Sequence, residues 1–255
     1  MQKLNNITAS IVLFEENIHE LSSAVNSFLK TPLSKKLFLI DNSPSEELKD
    51  KFTHPDIEYI FTGKNLGFAA GHNLVIEKIK NDSKYHLVLN PDVSFEPEVI
   101  PNLLREMEKN KDLSLIAPKV LFPNGEHQFS CRRYPSLFEL LVRRTSLLKN
   151  MFSSIIKRGE YYDKNLTIAF YPEFIHGCFH LFKTEDFVRV KGFDERYFLY
   201  MEDVDICRKI DAIGKKKMYY PGEEISHILK KGSSKNIKLL VRHFLSGIQY
   251  FYKWR

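Results

Sequence analysis

Asn90-Pro91-Asp92 stands where an apolar run, Leu87-Val88-Leu89, stops. Such a run reads as a buried strand, and Pro91 both ends its ladder and restricts Asn90. Asp92 is then presented in a turn beyond the carboxyl end of the strand, the edge at which open α/β sheets bind ligands. A hard oxygen ligand there suits Mg2+ or Mn2+ carrying a diphosphate. Asn, Pro and Asp are also ordinary turn formers, so these three residues alone leave both readings open. Asp41, following Leu37–Ile40, reaches the same edge. Its carboxylate can accept the imide N–H of uracil or thymine, while Asp41-Asn42-Ser43-Pro44 equally well makes an Asx-turn.

Three further groups carry candidate chemistry. Asn65, Gly67, Gly71 and Asn73 lie in a glycine-spaced loop that opens a helix. Small residues let a backbone approach a ligand or pack tightly on a sheet. The spacing is neither that of a Walker A loop nor that of a dinucleotide fingerprint. Glu202, Asp203 and Asp205 open another helix after the aromatic stretch Tyr197–Tyr200. Acids in a first turn are favoured by the helix dipole. A carboxylate against an apolar wall also gains a raised pKa and can serve as a general base. His227, in a short apolar strand, reads by itself as a satisfied core histidine.

The elements that must position these groups are legible. Strand-like runs at 7–14, 37–40, 57–61 and 113–117 alternate with helical patterns at 17–29, 45–52, 68–80 and 97–110. This predicts an α/β fold with a mostly parallel sheet and helices on both faces. The middle, 122–171, breaks the alternation with a basic, aromatic stretch and a helix expected over 137–156. Leu141, Leu148, Phe152 and Ile155 share one face of that helix, which suits core packing or an anionic lipid surface. A strand at 174–182, a helix at 202–213 with Gly214 as its cap, short strands at 216–220 and 224–228, and a helix at 236–254 complete the reading.

The chain has 255 residues, 43% of them hydrophobic, which suffices for a sizeable core without cross-links. Cys131, Cys178 and Cys207 are odd in number and widely spaced, which predicts no disulfide framework and a reducing cytosol. No secretory leader or membrane span is expected. The net charge is +6, concentrated in 131–160 and 235–255. A nucleic-acid or membrane module without catalysis would explain that charge. It would not explain acids at strand ends, and no nucleic-acid motif is present. A sugar-phosphate nucleotidyltransferase would need a basic glycine loop after the first strand, where Phe14-Glu15-Glu16-Asn17 stands instead.

In order along the chain come Asp41–Ser43, Asn65–Asn73, Asn90–Asp92, Gly192–Glu195 and Phe198–Cys207. Together they resemble family 2 glycosyltransferases of GT-A fold, and within them bacterial rhamnosyltransferases of O-antigen and cell-wall assembly. The resemblance implies one GT-A domain over 1–255. Its nucleotide-sugar half covers about 1–120, its acceptor half about 121–230, and a basic, aromatic helix closes the chain. Asp92 then corresponds to the metal-binding aspartate, with Asn90 in place of the motif's first acid. Asp41 corresponds to the base-recognising acid, Asp203 to the catalytic base with Glu202 beside it, and His227 to a metal ligand of some members. The implied cofactor is Mg2+ or Mn2+. The implied partners are a dTDP- or UDP-linked sugar and a lipid-diphosphate-linked saccharide at the inner face of the cytoplasmic membrane, with an oligomer possible. The family often continues after Asp41-Asn42-Ser43 with serine and aspartate, where this chain has Pro44-Ser45-Glu46.

Overall fold

A computed structural model describes residues 5–143, 146–229 and 237–255. Its first half follows the expected alternation. Strand β1 (Asn5–Leu13) leads to α1 (Ile18–Leu29), whose first N–H groups donate to the Asn17 side chain. Strands β2 (Lys35–Asp41) and β3 (Ile57–Phe61) follow. The helix expected over 45–52 is only a 3-10 turn at Lys49–Lys51, since so short a segment gains too few hydrogen bonds to offset nucleation. The helix expected over 68–80 is two, α2 (Gly67–Asn73) and α3 (Ile76–Ile79). Next come β4 (Ser83–Leu89), β5 (Val93–Ser94), α4 (Val99–Lys109) and β6 (Leu113–Leu121).

The second half departs further from expectation. Short strands β7 (His127–Gln128) and β8 (Cys131–Arg132) precede three helices where one was expected. These are α5 (Leu137–Val142), α6 (Ser146–Met151) and α7 (Ser153–Gly159). Leu141 is exposed, so the face it shares with Phe152 is not continuous core. The strand expected over 174–182 breaks at Gly177 into β9 (Phe174–Ile175) and β10 (Phe179–Lys183). Helices α8 (Thr184–Arg189) and α9 (Glu202–Ala212) lead to β11 (Lys216–His227). The last is one strand rather than two, with an irregularity between Tyr220 and Glu224, where Pro221 cannot donate to a ladder. Helix α10 (Ile237–Lys253) follows, and Asn236, expected to begin it, lies outside the described residues.

The central sheet runs β3-β2-β1-β4-β10-β6-β11-β5, with β7 added to β6. Its long ladders, β1 on β2 and β4, β2 on β3, and β6 on β11, are parallel. Strand β10 is antiparallel to β4 and β6, and β5 is antiparallel to β11. Alternation along β1 sends Ile7, Ala9, Ile11 and Leu13 into the core formed with α1 and α4. The opposite face packs α2, α8 and α9 around Ile40, Val88 and Phe187. On that face a buried polar chain ties α2 to the strands. Ser83 is linked to Thr8 (2.8 Å), Thr8 to His86 (2.9 Å), His86 to Ser10 (2.9 Å) and Ser10 to His72 (2.7 Å). Burial holds both imidazoles neutral by lowering their pKa values.

Helix α10 is bolted to α9. Asp205, fully buried, accepts from Lys253 Nζ (2.8 Å) and from Trp254 Nε1 (2.7 Å), and Lys253 also reaches Asp194 (2.8 Å). Tyr250 is buried and its hydroxyl accepts from Arg208 Nε at 2.5 Å. The C-terminal tip is therefore part of the fold. Replacing Asp205 with Ala leaves Trp254 Nε1 without its acceptor and Lys253 with Asp194 alone, and should destabilise the protein by roughly 1–3 kcal/mol, the usual cost of an unsatisfied buried donor. Urea unfolding measures this, and an unshifted midpoint would show that the cluster does not hold the helix.

Candidate active site

The antiparallel pairing of β5 and β11 sets the centre of the site. His227 lies opposite Val93, and Ile228 N–H donates to the Asp92 carbonyl (3.2 Å). This register brings His227 Nε2 to 3.4 Å from Asp92 Oδ1, with both side chains buried. Asp92 Oδ1 makes no hydrogen bond. A buried carboxylate oxygen without a partner is costly and calls for a cation or donor. Two atoms ligating one ion at about 2.1 Å each stand roughly 3 Å apart, close to the observed separation. The pair thus fits a divalent cation. Among the described residues no group of three His, Cys, Asp or Glu side chains converges to hold one. A cation here would complete its shell from substrate and water, as Mg2+ commonly does.

Gln128 on β7 sets the imidazole. Its Oε1 stands 2.9 Å from His227 Nδ1, and its Nε2 donates to the His227 carbonyl (2.6 Å). Since Oε1 can only accept, Nδ1 carries the hydrogen and Nε2 is left to face Asp92. Burial alone would lower the pKa of His227, but the neighbouring Cys178 and Asp92 carry it to about 10. Without a cation, His227 takes a proton to compensate the carboxylate; a bound cation displaces that proton. Sequence reasoning missed Gln128. The turn formers Pro123-Asn124-Gly125 signal the β6–β7 hairpin, but nothing local marks Gln128 as facing His227.

A cavity of about 510 Å3 opens over this pair and is lined by Asn42, Asn65, Gly67, Phe68, Asn90 and Tyr200 among others. Asn65 Oδ1 accepts from Gly67 N–H (3.0 Å), and Asn42 Nδ2 donates to the Gly67 carbonyl (3.1 Å). Gly67 has φ +82°, and a Cβ there would stand 2.3 Å from the Phe198 carbonyl oxygen, so only glycine fits. Three expected ligand residues are instead occupied by protein and do not line the cavity. A Cβ on Gly71 would stand 2.7 Å from Val12 Cγ2, which makes Gly71 a packing glycine. Asn73 binds the Phe193 backbone, accepting at 2.9 Å and donating at 2.8 Å, and thereby fastens the Gly192–Glu195 turn. Asp41 is fully buried, with Ser43 N–H on Oδ1 (2.9 Å) and the Tyr59 hydroxyl on Oδ2. The Asx-turn reading describes its contacts.

Glu202 and Asp203 stand at the start of α9, off the cavity wall. Gly177 separates Asp203 from Phe68; a Cβ there would lie 3.5 Å from Asp203 Cβ and 3.6 Å from Phe68 Cζ. The turn into α9 is strained, with Tyr200 and Met201 at φ +71° and +69°. Non-glycine residues in this region cost on the order of 1–3 kcal/mol each and persist only where their surroundings hold them. Helix α10 and α2 do so. Ser246 Oγ donates to the Leu199 carbonyl (3.0 Å), the Arg242 guanidinium sits 3.4 Å from the Phe198 ring centre, and Phe68 N–H donates to the Phe198 carbonyl (3.0 Å). Burial pushes Asp203 up to about 6, against hydrogen bonds from Val204 and Gly177 N–H and the charge of Arg132. Glu202 is pushed well up by burial and then by the Asp203 charge, and its Oε2 has no partner. Burial and mutual repulsion thus push both acids towards their neutral forms and disfavour two charges at once.

Solved structures share this architecture. The structure of GalNAc-T7 with UDP, GalNAc and Mn2+ aligns at a TM-score of 0.66 and 17% identity, covering 89% of this chain and 43% of that one. The mannosyltransferase PcManGT from Pyrobaculum calidifontis, in complex with GDP-Man and Mn2+, aligns at 0.62 and 14%, covering 97% and 65%. The fold is that of the GT-A glycosyltransferases. The model of the Glycosyl transferase family 2 matches residues 9–189, and the chain belongs to that family. It is 27% identical over 201 residues to Rhamnosyltransferase WbbL of Escherichia coli K12, covering 75% of this chain and 72% of that protein. It is also 27% identical over 194 residues to the N-acetylglucosaminyl-diphospho-decaprenol L-rhamnosyltransferase of Mycobacterium tuberculosis H37Rv. That match covers 68% of this chain and 59% of that protein.

Removing the Gln128 amide frees the His227 ring without touching the Asp92 carboxylate. Gln128→Leu should weaken Mn2+ binding about tenfold or more, the usual cost of losing a group that orients a ligand. Electron paramagnetic resonance of free Mn2+, titrated with protein and UDP, reads this directly. Unchanged affinity in a folded variant would remove Gln128 from the site.

Proposed function

We propose that the protein is an inverting glycosyltransferase that moves L-rhamnose from dTDP-β-L-rhamnose to a lipid-diphosphate-linked saccharide in O-antigen, capsule or cell-wall polysaccharide synthesis. The observation that carries the reading is the buried Asp92–His227 pair, with its unpartnered carboxylate oxygen, beneath a cavity at the carboxyl edge of the sheet. The relatives named above for rhamnosyl transfer support the sugar. Mg2+ or Mn2+ would be held by Asp92 and His227 and would supply charge neutralisation to a diphosphate leaving group. Asn65 and Asn90 offer amide groups to the donor, and Gly67 leaves room for its approach. Asp203 takes the proton of the acceptor hydroxyl as that oxygen bonds to the anomeric carbon. The bond from that carbon to the diphosphate breaks on the opposite face, and dTDP departs with its electron pair. Neutral Glu202 keeps a second negative charge away from the base.

The acceptor places the enzyme at an anionic membrane surface on the cytoplasmic side. Among the described residues no helix is long and apolar enough to cross a bilayer. A hexose on UDP is the competing donor: a relative 26% identical over 210 residues, Agl10 of Haloferax volcanii, is named a hexosyltransferase, and the GalNAc-T7 structure holds UDP.

A panel of dTDP- and UDP-sugars with Mn2+ tests both halves of the reading. dTDP-rhamnose should raise the melting temperature of the wild type and of Asp203→Asn alike, because a ligand that binds only the folded state stabilises it. Turnover of Asp203→Asn should fall roughly 10²–10⁴-fold, the range for loss of a general base. Wild-type rate should decline as pH falls through about 6, where Asp203 takes up its proton. Stabilisation by UDP-hexoses instead overturns the sugar, and a large loss in Glu202→Gln without one in Asp203→Asn overturns the base.

A further inference from the structure

The inner face of α10 is committed to the fold, but its outer face is not. Ile237, Val241, Phe244, Leu245, Ile248 and Tyr252 are each more than half exposed. Spaced by three and four residues, they form one stripe along the helix. An unbroken apolar stripe of this length on a surface helix marks an interaction site. Helix α5 lies alongside, since Leu140 stands 3.5 Å from the position of a Cβ on Gly247. It adds exposed Leu137 and Leu141.

The surroundings of the stripe select its partner. Arg242 and Arg255 on α10 or just beyond it, and Lys149, Lys157 and Arg158 on α6 and α7, are exposed. Segments 137–159 and 237–255 contain a single acid, Glu139, which is buried against Arg143 at 2.8 Å. Apolar side chains flanked by cations, with no exposed acid among them, match the acyl boundary and headgroups of an anionic bilayer. The stripe also adjoins the site: Leu239 lines the cavity and His243 stacks on Tyr200 at 4.5 Å.

We infer that the outer stripe of α10, with α5, inserts into the surface of an anionic bilayer and holds the mouth of the cavity at headgroup level. This deepens the proposed function, on which it rests for the lipid-linked acceptor, and it changes which residues do the work. Tyr250, Lys253 and Trp254, the basic and aromatic tip that the sequence suggests for membrane contact, face Asp205 and Arg208 instead. Arg144, in the basic segment 131–160, lies outside the described residues. Apolar insertion also predicts binding that persists in salt, unlike adhesion by charge alone.

Flotation with vesicles of phosphatidylglycerol and phosphatidylcholine tests this without donor or acceptor. The wild type should float at low and at physiological salt, and less with phosphatidylcholine alone. Phe244→Ser combined with Ile248→Ser, both on the exposed face, should lower the bound fraction about tenfold, since lost apolar burial weakens partition. The same variant should keep its turnover on a short-chain, water-soluble acceptor and lose it on acceptor embedded in vesicles. Equal flotation of both proteins, or none by the wild type, overturns the inference. So does a wild-type dimer in light scattering that the double substitution dissociates, which would make the stripe a contact between two copies. If no donor supports turnover in either protein, the proposed function fails while flotation still decides the surface.

Discussion

The site depends on one buried carboxylate oxygen, Asp92 Oδ1, which makes no hydrogen bond and faces His227 Nε2 at 3.4 Å. Asp92 is carried to the sheet edge by β4 and stopped there by Pro91, and β11 returns antiparallel to β5 to set His227 against it. Desolvating a carboxylate is tolerable only if a positive charge answers it. In the absence of a cation the proton on His227 is that charge, and Gln128 fixes which nitrogen faces inward. The geometry is thus poised between a protonated histidine and a bound metal. A diphosphate that brings its own cation can enter without leaving the carboxylate unpaired.

The second half of the chain braces the strained turn that leads into α9. Tyr200 and Met201 both adopt the left-handed region, and the turn is followed by Asp203, which packs against Gly177 opposite Phe68 of the cavity wall. Such strain persists because the turn is gripped from two sides, by Gly67 and Phe68 of α2 and by Arg242 and Ser246 of α10. Helix α10 is in turn anchored through Lys253 and Trp254 to Asp205 on the same α9 that begins with Glu202 and Asp203. The turn, α9 and the C-terminal helix are thus tied together by direct contacts.

Much of this was legible in the sequence. The β/α alternation of the first half, the Asn17 cap and the inward face of α9 follow from periodicity and capping chemistry. Asp92 at a strand end was readable because Pro91 marks the end. The helix at 68–80 was not readable as broken, since the amide of Asn73, at its break, is engaged by Phe193, 120 residues away. Gly71 and Asn73 looked like ligand residues because small and amide side chains serve packing and binding equally well; only the positions of Val12 and Phe193 decide. The strand over 216–227 looked like two because Pro221-Gly222 reads as a turn, yet the long parallel ladder with β6 carries it across the irregularity. Locally His227 read as a core histidine and only the family resemblance suggested a ligand; pairing with β5, which sets it against Asp92, is a contact that no local pattern encodes. Buried Asp41, held by Ser43 and Tyr59, shows the reverse case, an acid whose place at the sheet edge suggested a ligand and whose contacts are internal.

The central claim is that Asp92 and His227 together hold a divalent cation that carries a nucleoside diphosphate. A crystal structure with Mn2+ and dTDP or UDP, with anomalous data to locate manganese, tests it most directly. The account predicts one ion about 2.1 Å from Asp92 Oδ1 and from His227 Nε2, also bound to both phosphates, with the His227 ring still on Gln128. A nucleotide in the same cavity whose manganese touches neither side chain, or manganese found only elsewhere on the protein, would contradict it.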